Sequence, residues 1–322
     1  MSKPLCVRRL EDPIYWTKML KKNAISLATI LALGGLYLIW GSTFLSVRIL
    51  LEFVPPLVIS FSRNLVAGGL FLLWAILGGH WKKLTLQHWK VHLMAGVLLI
   101  TLGNGFMALA GQTIPSGLSS VFMAFGPLLL VLFFWISGRK PSKRKLIGTL
   151  IGFVGIILLA SQKNLAIPGK EIDFYRGMGF LLIAVVAWNL GVFYIQFTKA
   201  NSYHFTQVCA IQMLTGGLIL LSISIYQGDL QKFALADLPF KALAVFAYLA
   251  LIGSMLGFGL FGYLSKVLDA TLVSTYTYVN PIIALFLGNI ILGESLSSIL
   301  LFASSLILSA VLLITTEKTS SS

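Results

Sequence analysis

Apolar runs of membrane-spanning length follow one another along almost the whole chain, and the later runs repeat landmarks of the earlier ones. Trp40 and Gly68-Gly69 return 148 residues on as Trp188 and Gly216-Gly217, while Gly103-x-Gly105 and Pro127 return after 154 as Gly257-x-Gly259 and Pro281. A helix needs roughly 20 apolar residues to cross the hydrocarbon of a bilayer. Runs of this kind fall near 27–48, 57–78, 91–112, 115–137 and 146–160, then near 178–198, 204–226, 242–264, 271–291 and 298–314. The expectation is an all-α polytopic membrane protein with ten transmembrane helices in two five-helix repeats. An odd number of spans in each repeat turns the second upside down relative to the first, an arrangement suited to alternating access. Residues 27–160 are expected to form the first repeat and 178–314 the second. Residues 161–177 would be an external loop joining them, flanked by cytoplasmic tails at 1–26 and 315–322.

The chain is 57% hydrophobic and only 11% charged, against about 25% charged for a soluble domain, so a water-exposed globule is excluded. The net charge of +14 does not point to nucleic acid, because its carriers sit in short stretches between apolar runs. Seventeen Lys and Arg fall on the side of the tails and six on the other. This places both termini in the cytoplasm, with the basic clusters facing anionic lipid of the cell inner membrane. The first run is too long for a cleaved signal peptide and is read as a retained span. Cys6 and Cys209 make no paired motif. Pro55-Pro56 opens the second span, where a missing N–H costs nothing, and Pro115 permits a tight reversal before the fourth.

Few residues in the spans can carry chemistry. Arg63 is the one Lys or Arg well inside a run, roughly 9 Å along its helix. It either meets a carboxylate in a watery cavity, or snorkels to the external interface or pins neighbouring helix ends. No Asp or Glu lies at the centre of a span, which leaves facilitated diffusion or exchange as credible as proton antiport. Glu294, near a span end, suits capping better than proton carriage. Pro127 and Pro281 each remove the hydrogen bond to the residue four before, which suits either hinges or static kinks. Tyr276 and Asn280 are too polar to face lipid cheaply; Asn104, Ser120 and Phe122 complete a candidate cavity of polar groups and apolar walls. Trp40 and Trp188 either line the passage or anchor the interface, and the paired glycines are read as helix-packing positions. Walker, zincin, nucleophile-elbow and dinucleotide fingerprints are missing. His88 and His92 share a helical face without further ligands, so neither metal nor cofactor is expected and the chain is not read as an enzyme.

Tyr37-Leu38-Ile39-Trp40-Gly41-Ser42-Thr43-Phe44, followed by Pro55-Pro56 and Arg63, resembles the opening of an EamA domain of the drug/metabolite transporter superfamily. Gly103-Asn104-Gly105, Pro115-Ser116-Gly117, Ser274-Thr275-Tyr276-Thr277-Tyr278-Val279-Asn280-Pro281 and Leu292-Gly293-Glu294 most resemble its YedA-like subgroup. The resemblance covers about 27–314. It implies a ten-helix inner-membrane carrier with tandem inverted repeats and a central cavity lined by helices 1, 3, 4, 6, 8 and 9, the short fifth and tenth helices supporting dimer-like packing. Two departures stand out: Gly138-Arg139 where the second half has Gly293-Glu294, and Arg63 where the second half has Ile211.

The expected function is secondary transport of a small molecule by alternating access, with export of an amino acid or similar zwitterion. The alternatives are export of cationic drugs or nucleoside-type metabolites, and a membrane binding or structural protein that moves nothing. The expected substrate-binding residues are Trp40, Arg63, Asn104, Ser120, Phe122, Trp188, Tyr276 and Asn280, with Pro127 and Pro281 as hinges. Proton coupling stays open, as does a monomer or a homodimer.

Overall fold

The computed structural model describes residues 26–161, 172–198, 203–232, 234–268, 273 and 275–315. The basic N-terminal tail before Ser26, most of the loop between the halves, Ser274 and the tail after Thr315 lie outside the described residues. Within them every regular element is helical: α1 (Leu27–Leu50), α2 (Pro56–Leu77), α3 (Leu86–Ala110), α4 (Ser116–Ile136), α5 (Lys143–Ala160), α6 (Phe174–Phe197), α7 (Phe205–Tyr226), α8 (Phe240–Val267), α9 (Tyr276–Leu292) and α10 (Ser298–Thr315). Among the described residues seven of these, α1–α4 and α6–α8, are long and apolar enough to cross a membrane. The molecule is an all-α polytopic membrane protein, as expected where no water is available to satisfy an open backbone.

Local chemistry sets the ends. α3 starts at Leu86 rather than near 91 because the Thr85 hydroxyl accepts from the His88 N–H at 3.4 Å. α5 gains a first turn, at Lys143, because the Ser142 hydroxyl accepts from the Lys145 N–H at 3.2 Å. Gly79, Gly138 and Gly293 sit just past helix ends with φ of 65°, 96° and 65°, the left-handed conformation that closes a helix. α3 and α8 each contain a widened π-helical stretch, Val97–Asn104 and Tyr248–Leu256, which in both ends at a glycine, Gly105 or Gly257.

The principal pairings are α2 with α7, α5 with α10, and α4 with α9; α1 packs on α8 and α9, and α6 on α3 and α4. Exchanging α1–α5 for α6–α10 returns the same set. Glycines allow the closest approaches. A Cβ at Gly68 would lie 3.0 Å from Met213, and one at Gly217 2.8 Å from Leu65, across α2–α7. Across α5–α10, Gly148 faces Ile314 and Gly155 faces Ile307 at 2.9 and 2.7 Å. The apolar core runs between α4, α5, α6, α9 and α10, around Phe125, Leu128, Phe174 and Leu181.

Contacts gather at two ends of the bundle. At one, Gln207 grips the backbone of Lys82, accepting from its N–H at 3.2 Å and donating to its carbonyl at 2.6 Å, beside the stacked rings of His80 and His204. At the other, the carboxylate of Glu294 accepts from the N–H groups of Ser116 and Gly117 at 2.7 and 3.0 Å and from the Ser116 hydroxyl at 3.0 Å.

Candidate functional site

Trp40, Tyr276 and Asn280 are brought together where α1 meets α8 and α9. The Trp40 indole lies edge-on to Tyr276 at 4.8 Å between centroids and within 5.3 Å of both Phe258 and Phe261. The four rings form one aromatic cluster. It is fixed by the glycine on α8: a Cβ at Gly257 would collide with the indole nitrogen of Trp40. Asn280, 7% exposed, reaches the carbonyls of Tyr37 and Tyr276 at 3.2 Å each when its amide nitrogen is turned toward them. The Tyr37 and Thr275 hydroxyls share a hydrogen bond across the same seam, and Ser42 meets the Tyr248 hydroxyl at 2.6 Å.

Trp188 stands in the corresponding place on α6. Its ring covers Gly103 of α3, where a Cβ would lie 3.1 Å away. The repeated landmarks of the sequence are therefore one contact made twice, Trp40 on Gly257 and Trp188 on Gly103, each joining opposite halves of the chain.

Arg63 faces inward from α2 and is 7% exposed, with no ion pair or hydrogen bond to its side chain among the described residues; its Nε is fully buried and unpartnered. One turn back on the same face, Ser60 donates to the Asn104 carbonyl at 3.2 Å, so α2 and α3 meet there. The side-chain amide of Asn104, also 7% exposed, has no hydrogen-bond partner among the described residues. Asn64 donates to the Ser60 carbonyl at 2.7 Å. Arg63 and Asn104 are thus both buried with side-chain donors unused among the described residues, Asn104 at the α2–α3 seam and Arg63 one turn along α2 from the Ser60 contact that marks it. Bringing a carboxylate to them would satisfy groups whose burial is otherwise costly.

Ser120 and Phe122 do not join either group. The Ser120 hydroxyl donates to the Gly117 carbonyl of its own helix at 2.8 Å, and Phe122 is 2% exposed within the core between α4 and its neighbours. The two prolines also part company. α4 is broken at Ala124–Phe125, so Pro127 falls in the first turn of a new helical segment, Gly126–Ile136, where no N–H is needed. Pro281 lies inside the continuous α9.

Sequence reasoning did not single out Ser60, Asn64 or Tyr248. Each is an ordinary polar residue in an apolar run, and only the partner helix gives it meaning. Nor did it identify where Glu294 would act: its carboxylate caps α4, a helix of the other half. Near that cap, Phe44, Arg48, Met107, Gly111, Ser116 and Ser119 border a void of about 10 Å³, room for about one water. The buried Ser119 hydroxyl at its wall has no hydrogen-bond partner among the described residues.

Residues 27–161 and 175–316 each match the EamA-like transporter family. Over 289 residues the chain is 35% identical to the uncharacterized inner membrane transporter YedA of Escherichia coli K12, covering 89% of this chain and 90% of that one. It is 28% identical to the uncharacterized transporter YvbV of Bacillus subtilis, over 90% of this chain and 92% of the other. A crystal structure with 18% identity superposes with a TM-score of 0.58, over 89% of this chain and 96% of that one; this likeness speaks to fold alone. With both halves matching one family across nearly all of the helical region, the chain belongs to the EamA-like transporter family, as a YedA-like, multi-pass inner-membrane secondary transporter of small metabolites and not an enzyme.

Proposed function

We propose that the protein exports an amino acid or a similar zwitterion by alternating access between two inverted five-helix repeats, with α1–α10 all crossing the membrane and both termini in the cytoplasm. The observation that carries the substrate class is Arg63, buried without a counter-ion among the described residues and one turn from the Ser60 contact with Asn104. A substrate carboxylate supplies the missing partner, whereas a cationic drug is repelled. The aromatic cage of Trp40, Tyr276, Phe258 and Phe261 suits the other end of such a molecule: ring faces attract an ammonium and admit an apolar side chain. Asn280 braces that cage, Trp188 closes the opposite wall, and Ser120 and Phe122 hold α4 in place.

The inverted arrangement is supported by the exchange of pairings between halves and by the doubled indole-on-glycine contact. The orientation is supported by the excess of Lys and Arg at the end where Lys82 meets Gln207. α5, α9 and α10, at 18, 17 and 18 residues, are at the short end of the spanning range of about 17 to 25. Close packing in the bundle and local thinning accommodate them.

The test is efflux of a radiolabelled mixture of proteinogenic amino acids from proteoliposomes. Replacing Arg63 by Gln is expected to raise KM about tenfold or more, as for loss of a charge-assisted contact, in protein that elutes as a folded species. An unchanged KM would remove Arg63 from the site. Efflux driven by an inward proton gradient would establish proton coupling, and efflux indifferent to it would favour exchange or facilitated diffusion.

A further inference from the structure

The two proline-bearing helices meet α1 and α6 through a pair of residues that has been exchanged between the halves. By the offsets of 148 and 154, Gly41 of α1 corresponds to Asn189 of α6, and Gly126 of α4 corresponds to Asn280 of α9. The interface of α1 with α9 thus contains one glycine and one asparagine, and so does that of α6 with α4, with the residue types reversed. The packing agrees. A Cβ at Gly41 would lie 3.3 Å from the Asn280 carbonyl and 2.8 Å from Ile283; a Cβ at Gly126 would lie 2.6 Å from Nδ2 and 2.8 Å from Oδ1 of Asn189.

The hydrogen bonds agree as well. Asn189 donates to the Val185 carbonyl on its own helix at 2.8 Å. With its amide turned as above, Asn280 donates across the interface to the Tyr37 carbonyl and, on its own helix, to the Tyr276 carbonyl, at 3.2 Å each, and Tyr37 is the residue that corresponds to Val185. In each half an amide therefore serves the carbonyl four residues before the exchanged position on α1 or α6. In one half it comes from that helix and in the other from the proline-bearing helix. Both asparagines are buried, at 5% and 7% exposure, and each lies against the peptide leading into a proline or directly precedes one.

We propose that Asn189 and Asn280 are a single positioning amide supplied from opposite sides of one repeated joint, and that each sets the angle of its proline-bearing helix against α1 or α6. This adds Asn189 and Gly126 to the working parts of the transporter and rests on the alternating-access reading. The geometry also makes the two joints unequal. The Asn280 bond to Tyr37 crosses between helices and must break for them to part, while the Asn189 bond stays within α6 and its amide meets α4 by packing against Gly126.

The experiment exchanges the pair that lies outside the proposed binding residues. Asn189→Gly, Gly126→Asn and the double variant are compared by thermal unfolding in detergent and by efflux of the radiolabelled amino-acid mixture. Gly126→Asn alone forces a side chain into the Asn189 amide and is expected to lower Tm and cut Vmax about tenfold, with KM within about twofold. The double variant, which rebuilds the α1–α9 arrangement at the α6–α4 joint, is expected to recover most of both losses. A double variant no better than the worse single one overturns the proposal. Should Gly126→Asn fail to fold, Asn189→Ala decides: unchanged Tm and Vmax overturn the proposal, and a fall in Vmax at constant KM supports it. If the wild-type protein moves none of the mixture, the transport reading fails separately, and recovery of Tm in the double variant still tests the shared amide.

Discussion

α4 and α9 occupy equivalent places in the two halves and differ in how they accommodate the same proline. α4 ends its first segment at Met123, turns through Ala124–Phe125 and restarts at Gly126. α9 runs unbroken from Tyr276 to Leu292 with Pro281 inside it. The residue before the proline is glycine in one and asparagine in the other. Gly126 has no side chain to brace the turn and is covered by Asn189 from α6, whereas Asn280 ties its own helix to Tyr37 of α1. The following ends differ too. Glu294 after α9 caps the start of α4, while Arg139 after α4 stacks over the Phe134 ring at 4.9 Å and reaches no helix start. A duplicated helix can keep its place in a fold while the two copies accommodate the same proline differently, one by a break and one within a continuous helix.

Substitutions can break this comparison or sharpen it. The largest effect is expected at Glu294. Glu294→Ala leaves the two N–H groups of α4 and the Ser116 hydroxyl without their acceptor, at a cost of about 2–3 kcal/mol in thermal unfolding, with Glu294→Gln losing about half as much. Equal stability of Glu294→Ala and wild type would show that the cap is dispensable. Pro281→Ala comes next. It restores an N–H in the interior of α9 and is expected to stabilise the protein by about 1–2 kcal/mol while slowing efflux, if the kink is used in the cycle. Pro127→Ala is expected to change stability by less than about 0.5 kcal/mol, because first-turn positions make no intrahelical N–H bond. Equal responses from the two prolines would cancel the distinction between α4 and α9. The smallest effect belongs to Arg139→Ala, under about 0.5 kcal/mol for an exposed cation on a ring.

Much of this was readable from the chain. The apolar runs placed α1 to α10 to within a few residues, because a backbone with no water to bond must close its own hydrogen bonds. The misjudged starts of α3 and α5 trace to Thr85 and Ser142, polar caps that extend a helix beyond its apolar stretch. The depth of Arg63 was legible; that it lacks a counter-ion was not, since a missing partner is a property of every helix around it. Ser120 and Phe122 are both buried on α4, the one bonded to its own helix and the other within the apolar core, and which neighbours such a buried face meets is settled by packing, not by periodicity.

The sequence by itself determined that the chain is a duplicated, helical membrane protein, because length and hydropathy of each run and the recurrence of Trp, Gly and Pro survive without knowledge of any contact. Only the tertiary structure decided that Trp40 sits on Gly257 and Trp188 on Gly103, that Glu294 caps the helix beginning at Ser116, and that Gly41 packs on Asn280 and Gly126 on Asn189. Those facts join residues more than 60 positions apart, and the hydrogen bonds and close approaches that select them exist only once the helices have packed.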